Sequence, residues 1–133
     1  MKRSIIQLFA LFSMLAGLLL SAGNASAQTT ETTRDNPLTI VIPISVNKSS
    51  PAAETTAALK ATQAFIKQQP GLIDEQLMES KNPDAKPSHV HVTRWKNLVS
   101  WENLFSNPEF NALNAKYHNA YTIDAAQLYL PVK

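Results

Sequence analysis

The sequence predicts an α+β domain with the element order βαββαβ. Its four strands form an antiparallel sheet with both helices on one face. Three observations carry this prediction. Leu38, Ile40, Ile42, Ile44 and Val46 recur with a period of two, the mark of a strand with one apolar face. The spacing then turns helical from Ala52 to Gln69 and stops at Pro70-Gly71. Strand, turn and helix signals then repeat in the order strand, strand, helix, strand.

In the first strand Thr39, Val41, Pro43 and Ser45 form the second face. Pro43 has no N–H to give to a ladder, so a bulge, an edge or a local break is expected there. "NKSSP" turns the chain; Asn47-Lys48-Ser49 also fits a glycosylation acceptor, a pattern common by chance. In the first helix Ala58, Ala61, Phe65 and Gln69 line up, flanked by Leu59, Thr62 and Ile66. Ser50 is the expected N-cap, with Pro51 in the first turn. "LIDEQLMES" is the second strand, with mixed alternation. "KNPDAKP" is a hairpin connector, and "SHVHVTRW" is the third strand. The second helical region runs from Leu98 to Asn119 and is broken by "SNPEF" into two helices in series. Ser106 or Asn107 caps the second of these, with Pro108 at its first position and Glu109 near its positive end. "YTIDAAQLYLP" is the fourth strand. The order is ferredoxin-like, which leaves one sheet face without helices. An apolar sheet face is seldom left in water, so a homodimer joined through these faces is expected.

The N-terminal segment lies apart from this domain. Lys2 and Arg3 precede an apolar run from Ile5 to Leu20, and small residues end in Ala25-Ser26-Ala27. This is the pattern of a secretory signal peptide cut before Gln28. The run is short for a spanning helix, which needs about 20 residues. Residues 1–27 are therefore read as signal, 28–36 as a flexible leader and 37–133 as the domain. The expected location is periplasmic or secreted, with no membrane attachment after cleavage. The whole chain has 12 basic and 10 acidic residues, and loss of Lys2 and Arg3 brings the two to balance. No Lys/Arg cluster offers a nucleic-acid footprint. The chain has no cysteine, which excludes disulfides, thiol catalysis, iron–sulfur clusters and cysteine-based zinc sites. It holds three glycines, of which only Gly71 follows the cleavage site, so a glycine-rich phosphate cradle is excluded as well.

The region His89 to Phe110 concentrates two of the three histidines and both tryptophans. Alternation puts His89, His91, Thr93 and Trp95 on one strand face and Val90, Val92 and Arg94 on the other. Two histidines two residues apart are poor evidence for a metal. A third ligand from His118, Asp124 or Glu75 would stand at no recognisable spacing, so no metal is assigned. The plain reading sets His89 at the strand's mouth and His91 further in, with a hydrogen-bond partner. Trp101 has helical spacing with Leu98, Leu104 and Phe105, which suits packing on the sheet. Tyr117 follows Leu113 by four residues and Phe110 by seven, which suits a core ring with a wet hydroxyl. His118, near a helix C-terminus, is favoured when charged. Arg94 suits a salt link.

With this element order, "QQPGL" after the first helix, Trp95 ending strand three, Trp101 six residues on and the following "SNPEF", the domain from Pro37 to Lys133 resembles the antibiotic biosynthesis monooxygenase family. The family's fold is the dimeric α+β barrel. Its members include cofactor-independent oxygenases of polyphenols, haem-degrading oxygenases and isomerases. In quinone-forming members an Asn stands four residues before the strand-end Trp and a Tyr six after it; here those positions hold His91 and Trp101. In haem-degrading members a Trp stands nine residues after the strand-end Trp and a ligating His ten beyond that; here Leu104 and Asn114 stand there, and Asn is not an axial haem ligand. Many other members have His at the place of Leu104.

The resemblance implies a monooxygenase-like enzyme, free of metal and bound cofactor, acting on a small aromatic or quinone-like compound. His91 would be the polar or basic residue, Trp95 a stacking wall and Tyr117 a second donor. Trp101, His89 and His118 would border the substrate. The alternative is a non-catalytic periplasmic ligand-binding or stress protein on the same fold, which the departures at His91, Trp101, Leu104 and Asn114 favour. A haem-binding or haem-degrading protein stands behind both.

Overall fold

A computed structural model describes residues 34–132. The expected signal peptide, its expected cleavage site and most of the expected leader lie outside them. No helix among the described residues is long and apolar enough to cross a membrane. The elements are β1 (Leu38–Val46), α1 (Ala52–Lys67), β2 (Leu72–Glu79), β3 (His89–Trp95), α2 (Leu98–Glu102), α3 (Pro108–Lys116), β4 (Tyr121–Ile123) and β5 (Gln127–Tyr129). All pairings are antiparallel. The sheet runs β2-β3-β1-β4, and β5 also pairs with β1. This is the ferredoxin-like arrangement read from the sequence.

The fourth strand is split, and Pro43 is where it splits. β4 pairs with Ile44 to Val46 and β5 with Thr39 to Val41. Between them the Asp124 N–H donates to the Pro43 carbonyl at 3.0 Å. A strand residue turns its N–H and C=O to the same neighbour. Proline returns no N–H on that side, and the ladder opens there. On the β3 side the register passes Pro43 unbroken, opposite Val90.

β2 carries a second irregularity. Leu72 pairs with Trp95, but Asp74 pairs with Arg94, so Ile73 is an extra residue. This is a β-bulge, and it inverts the facing of every residue after it. Leu72 faces the helices; beyond the bulge Glu75 and Leu77 do so, opposite Thr93 and His91, while Asp74 and Gln76 turn outward. The mixed alternation of "LIDEQLMES" has this cause.

α1 buries Thr55, Ala58, Leu59 and Ile66, a stripe at helical spacing rotated slightly from the one expected. Ser50 does not cap it. The cap position is Pro51, without a side-chain hydrogen bond, and the Ser50 hydroxyl donates instead to the Asn119 carbonyl at 2.8 Å. Asn97 caps α2 by accepting from the Ser100 N–H. Of the two expected caps, Asn107 rather than Ser106 caps α3, with Pro108 in its first turn as the sequence predicts. Gly71, at φ 87°, leads into β2, and a Cβ there would overlap the Ser100 side chain. Only glycine adopts that backbone at no steric cost, so it lets α2 close on the start of β2.

The core lies between the sheet and the helices: Leu38, Ile40, Ile66, Trp95, Leu98, Trp101, Leu104 and Phe110. Ile42, Phe65, Phe105 and Leu128 pack against it while staying partly exposed. Phe65 stacks on Phe110 at 5.6 Å, and Phe105 meets both Trp101 and Phe110 edge to face. The opposite sheet face carries Val41, Pro43, Val90, Val92 and Met78, aligned by the β1–β3 and β2–β3 registers.

Candidate functional site

β3 sets the site. His91 and Trp95 stand on its helix-facing side, both buried. Their surroundings differ. Trp95 is 0% exposed and belongs to the core. Its indole N–H donates to the Thr93 hydroxyl at 2.8 Å. A ligand that stacks on Trp95 has to displace side chains packed there.

His91 is tied to a carboxylate. Its Nε2 lies 2.7 Å from Glu75 Oε2, and each side chain keeps 4% of its exposure. Glu75 is a diagonal neighbour across the β2–β3 ladder, a reach typical of long side chains, and the bulge at Ile73 turns it inward. α1 adds two more groups, four residues apart on one helix face. Gln63 Nε2 donates to Glu75 at 3.0 Å and 3.1 Å from its two oxygens. Lys67 Nζ lies 3.2 Å from Oε1, with its own side chain 58% exposed.

Burial works against ionisation of Glu75, but the hydrogen bonds from His91, Gln63 and Lys67 outweigh it and hold the carboxyl below its ordinary range. For His91 the balance falls the other way. Burial depresses its basicity more than Glu75 restores it, and the Lys67 charge depresses it further. Near neutral pH the pair is therefore a carboxylate and a neutral imidazole. An ionised carboxylate only accepts, so His91 donates from Nε2, and Nδ1 keeps its lone pair. Nδ1 makes no hydrogen bond, and no fully buried side-chain nitrogen or oxygen among the described residues lacks a partner. Nδ1 thus holds part of the ring's small remaining exposure.

The other sequence-derived candidates lie around this pair without joining it. His89 pairs through Nδ1 with the Ser88 hydroxyl at 3.0 Å, and its Nε2 is 3.8 Å from Glu79. Trp101 is a core residue, 4% exposed. Tyr117 ends α3 beneath the Lys116 ammonium, 5.0 Å from its ring centre. His118 is exposed, and its Nδ1–H donates to the Ala115 carbonyl at 2.9 Å. Arg94 pairs with Asp74 at 2.6 Å on the outer face. Among the described residues no three His, Asp or Glu side chains are placed to hold a metal ion. Glu75, named from the sequence only as a third metal ligand, is instead the hydrogen-bond partner of His91. Gln63 and Lys67 went unnoticed. The signal for all three was a charged residue within an apolar-edged strand, together with polar residues one turn apart on the facing helix.

No protein-family model and no curated protein matches the sequence. Solved structures do. The cofactor-independent oxygenase SnoaB from Streptomyces nogalater aligns at 20% identity with a TM-score of 0.62, over 74% of this chain and 95% of that one. A dimeric protein of unknown function with a ferredoxin-like fold, from Bacteroides fragilis, aligns at 12% identity and 0.56, over 72% and 97%. A protein from Mycobacterium tuberculosis aligns at 15% identity and 0.59, over 74% and 97%. At these identities the likeness is one of fold: a ferredoxin-like α+β domain.

Proposed function

We propose that this chain is an exported monooxygenase-like enzyme that oxidises a small phenolic or quinone-forming aromatic compound with dioxygen, as a homodimer joined through the open sheet faces. One observation carries the reading: a neutral histidine with one nitrogen held by a buried carboxylate and the other unpartnered. Such an imidazole accepts a proton near neutral pH. Removing the phenolic proton makes the ring electron-rich enough to react with oxygen directly. A phenol and one O2 then give one quinone and one water, with the substrate supplying every electron. The part-exposed apolar side chains Ile42, Phe65, Phe105 and Leu128 suit a flat aromatic guest. Two neighbours support the reading by their own descriptions, one a cofactor-independent oxygenase and the other a dimer. Oxygen uptake with a panel of hydroquinones and phenols tests it. His91→Ala is expected to lower the rate about 100-fold or more, the usual contribution of a general base. Equal rates in the two proteins would remove His91 from the chemistry.

The complete burial of Trp95 removes it as a stacking wall and favours a second reading, a non-catalytic protein on the same fold that binds a small ligand elsewhere on the helix-side surface. In that case calorimetry shows binding while oxygen uptake is absent from wild type and variant alike. A haem reading has less behind it, since Asn114 stands where the resemblance calls for a ligand. Haem titration without a Soret shift closes it.

A further inference from the structure

Glu75 is costly to keep. An isolated buried carboxylate is strongly destabilising unless donors surround it. Glu79, on the same face of the same strand, is 76% exposed, whereas the Glu75 side chain keeps 4%. Its inward neighbours on β2, Leu72 and Leu77, are apolar, so an apolar residue would serve the packing. Instead three donors from two elements converge on it: His91 from β3, and Gln63 and Lys67 from α1. A titratable group whose ionisation is set by burial and a specific charged partner is a candidate functional position.

We infer that Glu75 is the positioning residue for His91: it takes the Nε2–H, locks that tautomer, and leaves Nδ1 as the only atom of the ring able to receive a substrate proton. In that step the substrate O–H bond breaks and an Nδ1–H bond forms. The electron pair remains on the phenolate oxygen, and the new imidazolium lies against the carboxylate. Lys67, more than half exposed, joins the buried pair to solvent. The charged or titratable groups around His91 are Glu75 from β2, Lys67 from α1 and His89 from its own strand. The substrate's part rests on the function proposed above; the tautomer and the assignment of Glu75 do not.

Long-range proton–nitrogen NMR of the purified protein at mildly alkaline pH reads the tautomer without any variant. The expected result is a proton on Nε2 and a bare Nδ1. Titration of the same signals then separates the neighbours by sign. Glu75→Gln is expected to lower the His91 midpoint by about one pH unit or more, the usual effect of losing an opposite charge at contact. Lys67→Met is expected to raise it. A fold merely loosened by either change would raise both, toward an ordinary histidine. A proton on Nδ1 in the wild type, or a Glu75→Gln midpoint unchanged or raised, overturns the inference. If oxygen uptake is present, its acid limb must move with these midpoints in both variants; a limb that stays in place overturns it as well. If uptake is absent with every phenol while the tautomer and the opposed shifts hold, the Glu75 assignment stands and the proposed substrate chemistry falls.

Discussion

At the scale of single residues, the pair Glu75–His91 couples the fold to pH. Both groups titrate lower in the folded protein than in an unfolded chain, for different reasons: burial dominates at His91, and donated hydrogen bonds prevail over burial at Glu75. The sign is the same for each. A group whose folded pKa is depressed stabilises the fold above its unfolded pKa, and that stability is lost as pH falls through the folded value. For His91 the loss begins below about 6.5, the unperturbed histidine value; for Glu75 it begins lower, below the ordinary carboxylate value. Thermal melts taken from pH 8 down to about pH 2.5 are expected to show a falling midpoint in two stages. His91→Gln should flatten the upper stage and leave a weaker lower one, since Gln63 and Lys67 still hold Glu75. A midpoint independent of pH across that range would show that neither group is held as described.

At the scale of elements, the two irregularities of the sheet aim the side chains. Pro43 opens the ladder on the β4–β5 side, and the bulge at Ile73 rotates Glu75 to the helix side. The bulge follows directly on Gly71, whose positive φ and contact with Ser100 lock the end of α1 to the start of α2. Gly71→Ala therefore meets two obstacles, a strained backbone and an overlap with Ser100. The expected loss is about 2 kcal/mol or more, seen as a fall of roughly 10 °C in melting temperature for a domain of this size. Ser100→Gly together with Gly71→Ala removes both the Oγ and the Cβ that the new methyl would meet, and should recover the part due to overlap and not the part due to φ. The bulge also explains why the site was only half legible. Strict alternation from Leu72 would turn Asp74 and Gln76 inward and Glu75 out. An extra residue in a strand leaves no mark in a hydrophobic pattern this short.

At the scale of the whole molecule, one sheet face packs on three helices and the other carries an apolar strip of Val41, Pro43, Val90, Val92 and Met78. The strip ends at the Arg94–Asp74 ion pair. Faces of this kind are covered in stable proteins, and the proposed cover is a second copy. Val92→Glu, which puts a carboxylate at the centre of the strip, is expected to give a folded monomer by sedimentation. A wild-type chain that sediments as a monomer at micromolar concentration would contradict the proposal.

The element order, the Pro108 start of α3, an irregularity at Pro43 and the shared facing of His91 and Trp95 were determined by the sequence alone, because each follows from a local rule: periodicity, a missing N–H, or a fixed φ. That Asn107 rather than Ser106 caps α3, and that Pro43 breaks the ladder on the β4–β5 side, was decided by the structure. The partner of His91 was decided by tertiary structure. Glu75, Gln63 and Lys67 come from two other elements, and they meet His91 only through a one-residue shift in β2 and the seating of α1 on the sheet. Trp95 shows the same division. Its strand position was readable from alternation, but its N–H bond to Thr93 and its complete burial depend on helices that pack over it from elsewhere in the chain.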